Sequence, residues 1–232
     1  MSLFTTTTIE CSECQTTSDF QAAGSVNADR RPDLRDDILN NSFQSVNCPS
    51  CDAEMRLEPL FNYLDMEFGL WLAAYPPRQI TDFRTLEKEV QALFDESYGA
   101  KATPSAQEVG ADLRPRLTFG WPATREKLLL RKSGLDDVSI EMLKLDLLRR
   151  VPEAPLQAGI ELRVVDVAPD TLTLVWIDMM TEDVSQQIEV DRALLLEIEA
   201  NPEGWNPIRT DLTKGMFVDM QKLYMGVGQD AA

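Results

Sequence analysis

The chain has 232 residues, 44% of them hydrophobic and 26% charged, which suits one large or two small globular domains with a core that needs no disulfide staples. Its 22 Lys and Arg face 39 Asp and Glu, and the resulting net charge of -17 repels nucleic-acid phosphates. The absence of histidine excludes Ser-His-Asp and Cys-His mechanisms, the His-Glu-x-x-His helix and histidine-bearing catalytic zinc sites.

Residues 1–10 are Thr-rich and lack the basic and apolar regions of a secretory signal, and no run of 18 apolar residues suggests a membrane span. Residues 5–9 are β-branched and predict a short strand leading into Cys11. Phe20, Ala22 and Val26 share one parity and suit a strand returning from that turn. Pro32 opens a predicted helix over 33–39, with Leu34 and Ile38 one turn apart and Asn40 and Asn41 as stops. Residues 43–46 form a strand into Cys48, and 61–74 read as two strands broken near 67–69.

Pro76-Pro77 marks a boundary. Residues 82–98 are an amphipathic helix with Phe83, Leu86, Val90, Leu93 and Phe94 at helical spacing, and 100–112 have no periodicity and read as a flexible linker. A strand over 113–119 is pushed to a sheet edge by Pro115. Helices follow over 123–131 and from Asp137 to about Arg150, the second ended by Val151-Pro152 and Pro155. Residues 160–167 and 172–179 form a hairpin about Pro169-Asp170, with a third short strand at 188–190. Asp191 caps a helix over 192–200, 201–204 read as a turn, 211–224 as a terminal helix and 226–232 as a frayed tail.

The only four cysteines lie in two pairs, Cys11-Ser12-Glu13-Cys14 and Cys48-Pro49-Ser50-Cys51, with 33 residues between the pairs. Each Cys-x2-Cys pair makes a knuckle that aims two sulfurs at one point, and two knuckles complete a closed tetrahedral thiolate shell. Cys11, Cys14, Cys48 and Cys51 are therefore the candidate ligands of a structural Zn2+, with no open position for a reacting water. Two rivals remain. A redox dithiol wants an electropositive setting, whereas Glu10, Glu13 and Asp52 flank these cysteines. An iron centre uses the same four ligands.

Other candidates have simpler readings. Asp36-Asp37 and Asp136-Asp137 could form carboxylate dyads but suit helix N-terminal charge. Lys127, Lys132 and Lys144 could supply an amine but suit a solvated helix face. Trp71, Trp121, Trp176 and Trp205 read as core or half-buried aromatics, with Trp121 and Trp205, beside prolines, the better candidates for an exposed binding anchor. Arg30, Arg31 and Arg35, the only basic cluster near the cysteines, are outweighed by Asp29, Asp33, Asp36 and Asp37.

Several segments resemble the bacterial CpXC protein family, named for two Cys-Pro-x-Cys motifs. They are Cys11–Cys14, Ser25-Val26-Asn27-Ala28, Pro32-Asp33-Leu34, Phe43, Cys48-Pro49-Ser50-Cys51, Pro59-Leu60 and Tyr63-Leu64-Asp65, then Arg125-Glu126-Lys127, Gly134-Leu135-Asp136-Asp137 and Ile140-Glu141. The resemblance covers about residues 5 to 150 and implies metal binding without a defined activity. Ser12 stands where the motif has proline, and Gln15 and Asp52 stand where glycine commonly follows each pair, a position that favours positive φ.

The expected architecture is α+β. It comprises an elaborated zinc ribbon at 1–77, a helix and linker at 78–112, and a C-terminal region at 113–232 with a small antiparallel sheet and packed helices. The expected function is a cytoplasmic, non-catalytic zinc-binding protein whose partner is another protein, not nucleic acid or a membrane. A thiol redox switch or a carboxylate-based enzyme in the C-terminal region is the alternative.

Overall fold

The computed structural model describes residues 2–150, 157 and 159–225. The expected helix stops at 151, 152 and 155 and the tail at 226–232 lie outside the described residues. β1 (Leu3–Glu10) and β2 (Thr17–Asn27) form an antiparallel hairpin with the first cysteine pair at its tip. After α1 (Pro32–Leu39), the short hairpin of β3 (Ser45–Asn47) and β4 (Glu54–Arg56) carries the second pair. β5 (Phe61–Asp65) runs parallel to β2 and antiparallel to β6 (Leu70–Tyr75), and β6 runs parallel to β7 (Arg114–Phe119). The sheet order is β1-β2-β5-β6-β7, so residues on both sides of the 78–112 segment share one sheet.

β6 shows why this sheet is covered on both faces. Its sequence, Leu-Trp-Leu-Ala-Ala-Tyr, is apolar at both parities. Leu70, Leu72 and Ala74 pack with Leu34 and Ile38 of α1 and with Trp121 and Leu128 of α4 (Gly120–Lys132). Trp71 and Ala73 meet Val90 and Phe94 of α2 (Phe83–Ser97), which follows a 3-10 helix at Pro77–Asp82. A second core lies between α5 (Asp137–Arg150) and the antiparallel meander of β8 (Ile160–Val167), β9 (Thr171–Asp178) and β10 (Val184–Asp191). α6 (Ala193–Ala200), α7 (Pro202–Leu212) and the short α8 (Gln221–Met225) complete the chain.

Several expectations are corrected. In β2, the pairing shifts between Leu3↔Ser25 and Phe4↔Ala23, leaving Gly24 as an extra residue. The bulge reverses parity, so Ala23 and Val26, and not Ala22, enter the core. The expected linker at 100–112 contains α3 (Pro104–Ala111). Its first turn has Pro104, but none of its residues is buried, which is why no apolar period marks it. The expected turn at 201–204 is the start of α7, with the Asn201 side chain accepting from Gly204 N–H and Pro202 in the first turn.

The expected helix at 211–224 is broken. α7 ends at Leu212, and Met216, Phe217, Val218 and Met220 are buried before α8 begins. Distant groups satisfy the buried backbone there. Leu117 N–H donates to Met216 O at 3.0 Å, Phe217 N–H to Glu87 Oε1 at 2.8 Å, Lys127 Nζ to Val218 O at 2.6 Å, and Met220 N–H to Glu141 Oε2 at 3.1 Å.

The largest correction concerns charge. Lys127 and Lys144 do not lie on a solvated face; both are buried between α4, α5 and β8. Lys144 Nζ bonds Glu126 at 2.8 Å and Glu141 at 3.0 Å. Arg163 of β8 bonds Glu126 at 3.1 Å, Glu161 at 2.7 Å and Asp219 at 2.7 Å. Glu126 Oε1 also accepts from Val164 N–H at 2.6 Å. Lys127 reaches Asp137 at 3.1 Å, and Arg116 of β7 clamps Asp137 through Nε at 2.7 Å and Nη2 at 2.9 Å. Asp136, beside it, caps α5 through Ser139 N–H.

The network shifts its own protonation. Burial pushes the Glu126 carboxyl up, but Lys144 and Arg163 overcome this and hold it below its usual range. Burial likewise opposes ionisation of Asp137, yet Lys127 and Arg116 bring it well below the usual carboxylate range. Burial dominates at Glu141 and Glu161, whose carboxyls are raised.

Glu126→Ala leaves Lys144 and Arg163 buried and underpaired and is expected to cost about 3–5 kcal/mol in urea unfolding. Because Asp137 titrates lower folded than unfolded, its stabilisation is present above about pH 4, the unfolded value, and is lost as pH falls further. Asp137→Asn is expected to be markedly less stable than the parent at pH 7, with the difference narrowing in acid, as measured by unfolding at a series of pH values.

Candidate metal centre

The two cysteine pairs adopt one local geometry. In the first, Gln15 N–H donates to Cys11 O at 2.9 Å and Cys11 N–H to Thr16 O at 3.0 Å. In the second, Asp52 N–H donates to Cys48 O at 2.9 Å and Cys48 N–H to Ala53 O at 2.8 Å. Each turn closes through a residue with positive φ, Gln15 at 59° and Asp52 at 62°, the positions where glycine commonly sits. Asp52 is steadied by Asn47, whose Nδ2 donates to its Oδ1 at 3.0 Å.

The first cysteine of each pair is buried and the second exposed. Cys11 Sγ lies 3.6 Å from Cys51 Sγ, Cys14 Sγ lies 3.6 Å from Cys48 Sγ, and all four sulfurs fall within 4.8 Å of one another. A tetrahedron with metal–sulfur bonds of about 2.3 Å has edges of about 3.8 Å. The separations therefore suit four bonds to one central ion and are far longer than a disulfide's 2.03–2.05 Å. The four cysteines are positioned to hold a metal ion.

Hydrogen bonding distributes acidity unevenly among the thiols. The Thr16 hydroxyl, 3.3 Å from Cys14 Sγ, and the Thr16 amide lower Cys14 to about 6. The Ala53 amide acts to lower Cys51, but the adjoining Cys14 and Cys11 sulfurs, with local desolvation, push it up to about 12. The lowered Cys14 thiol favours a thiolate ligand there, and a divalent ion binding at the cluster would release protons. Cysteine spacing does not single out Thr16; its signal is a hydroxyl residue two places after Cys14.

The hairpins meet because distant side chains hold them. Gln44 Oε1 accepts from Ala23 N–H at 2.9 Å, and its Nε2 donates to Gln21 O at 3.1 Å, tying the approach to β3 to the edge of β2. At the other end of the small hairpin, the Arg56 guanidinium lies 4.6 Å over the Trp121 ring. Arg56 also donates to Phe43 O, Asn41 Oδ1 and Glu182 Oε2, while Trp121 Nε1 donates to Leu57 O at 2.9 Å. Trp121 is thus not an exposed anchor: it is 3% exposed and packs against Phe43 and Phe61. Trp205 is half-buried against the C-terminal core, and Trp71 and Trp176 are buried.

A model of the CpXC protein family matches residues 9–144, more than half of the chain. The chain belongs to the CpXC family. No curated protein and no solved structure matches it. The CpXC match contains all four cysteines, together with Arg116, Glu126, Lys127, Asp137, Glu141 and Lys144 of the buried network. Their partners Glu161, Arg163 and Asp219 lie beyond it. Of the motif-like segments, Glu126, Lys127, Asp137 and Glu141 therefore serve the interior of this CpXC protein. Among the described residues, no helix is long and apolar enough to cross a membrane.

Gln15→Gly relieves a left-handed backbone without removing a side-chain bond in the turn and is expected to stabilise the first knuckle by up to about 1 kcal/mol. Asp52→Gly gains the same freedom but loses the Asn47 contact, so its benefit is smaller. Thermal melts of the metal-loaded variants measure both.

Proposed function

We propose that Cys11, Cys14, Cys48 and Cys51 bind one structural Zn2+ in a non-catalytic protein that engages another protein through its acidic surface. The observation that carries this reading is the convergence of the four sulfurs at separations matching a tetrahedral shell. An all-thiolate donor set favours zinc over harder cations, and four ligands leave zinc no position for water. The net charge of -17 supports a partner with a basic face and opposes binding to nucleic acid. The strongest carboxylate and amine cluster is enclosed in the core and mutually paired, which supports a structural role for it in place of a substrate site.

A second reading has its own observation. Cys14 is exposed, and its thiol is lowered to about 6, which favours attack on a disulfide or oxidant. One experiment separates the two. Elemental analysis is expected to give about one zinc per chain, with a melting temperature that falls on chelation and recovers on re-addition of zinc. Metal retention is expected to weaken as pH falls, because protons compete for the thiolates. Protein without metal whose cysteines oxidise in pairs at mild potential defeats the zinc reading and favours the redox switch. For the interaction, crosslinking and pulldown with full-length, metal-loaded protein are expected to retain a basic protein in a salt-dependent manner.

A further inference from the structure

The strand edges of this molecule are unequally protected. At β7, Pro115 has no N–H to offer, and Leu117 N–H is taken by Met216 O. At β8, the Glu126 carboxylate accepts Val164 N–H and α4 covers the strand. β10 carries Glu189 and Asp191 and a register shift between Val184 and Gln186. These are the usual devices against edge-to-edge pairing. β1 confines these devices to its ends, a register shift at Leu3 and the charge of Glu10: residues 4–9, Phe-Thr-Thr-Thr-Thr-Ile, contain no charge, no proline and no bulge. From Phe4 to Glu10 its register with β2 is unbroken, and among the described residues no strand pairs its outer side.

We propose that β1 is a dimerisation edge that pairs antiparallel with β1 of a second copy of this chain, Thr6 facing Thr6 across a two-fold axis. A two-fold axis normal to the sheet places one residue opposite its own counterpart, because opposed antiparallel residues project to the same face. Centring on Thr6 sets Thr5 against Thr7, Phe4 against Thr8 and Leu3 against Ile9. Every pair is then β-branched, aromatic or aliphatic, the classes that stabilise cross-strand contacts. Centring on Thr7 would instead set Phe4 against Glu10.

Electrostatics favours the same occupant. A chain of net charge -17 repels its copies, yet residues 3–9 are uncharged and, of residues 18–25 that face them in β2, Asp19 alone carries a charge, so two copies can meet there. Antiparallel pairing also sends the two cysteine knuckles, with Glu10 and Glu13, to opposite ends of the joint sheet. The far edge of each five-stranded sheet is closed at β7, so growth stops at two copies. This proposal is independent of the metal's identity.

The test is sedimentation of the full-length protein over a concentration series. The apparent mass is expected to rise from 26.1 kDa towards twice that value. Thr6 is exposed, and Thr6→Lys sets two ammonium groups opposite each other at the axis. It is expected to weaken association roughly fivefold or more with an unchanged circular dichroism spectrum. In the parent protein, hydrogen exchange of amides within residues 3–9 is expected to slow as dimer accumulates, a readout that stands even where the variant misfolds. A mass of 26.1 kDa at every concentration overturns the proposal. So does a dimer that Thr6→Lys leaves at full strength, or one that leaves the β1 amides unprotected.

Discussion

A buried carboxylate has to be matched by donors, and Glu126 is where this structure meets that demand. Its partners come from α5 through Lys144 and from β8 through Arg163 and the Val164 amide. Removing any one element leaves charge uncompensated in a low-dielectric interior, which costs far more than the net worth of a paired group. The five-stranded sheet and the C-terminal meander are therefore not independent layers. Arg116 extends the same constraint to β7, and Lys127 with Glu141 extends it to the buried segment around Val218 and Met220.

The helix that carries this network also supports the cysteines. Trp121, in the first turn of α4, sits beneath Arg56 at the end of the small hairpin, and Arg125 Nε donates to Leu39 O at the end of α1. Glu126 and Lys127 follow directly in sequence and turn towards the interior. Each knuckle is a local object, made by a few backbone bonds and one residue with positive φ. Their convergence is a tertiary property, held by Gln44 on one side and by Arg56 with Trp121 on the other. The four-cysteine cluster thus rests on the same helix that joins the two sheets.

Most elements were legible because their signals are local. Pro32, the Asn40-Asn41 stop, the break before Leu70 and the Pro169-Asp170 turn all act over a few residues, and the corresponding elements form where expected. Elsewhere the local signals are ambiguous. Asn201-Pro202-Glu203-Gly204 suits a turn or a helix start, and the Asn201 cap decides for the helix. The 100–112 segment has no apolar period because α3 buries none of its residues, so it resembled a linker. Ala22 was displaced from the core by a bulge that alternation alone does not reveal.

By itself the sequence determined the four candidate ligands, the α+β class and most element boundaries, because cysteine spacing, turn residues and apolar periodicity are written into consecutive residues. Only the tertiary structure decided which charges lie inside. A helix bearing Glu126 and Lys127 reads the same whether it faces water or a matched set of counter-charges, and the groups that match it, Arg163, the Val218 carbonyl and Asp219, arrive from far along the chain. The same reason hid the burial of Trp121: its partner Leu57 lies 64 residues away in sequence, with Arg56 beside it, and only the docked hairpin brings them to its ring.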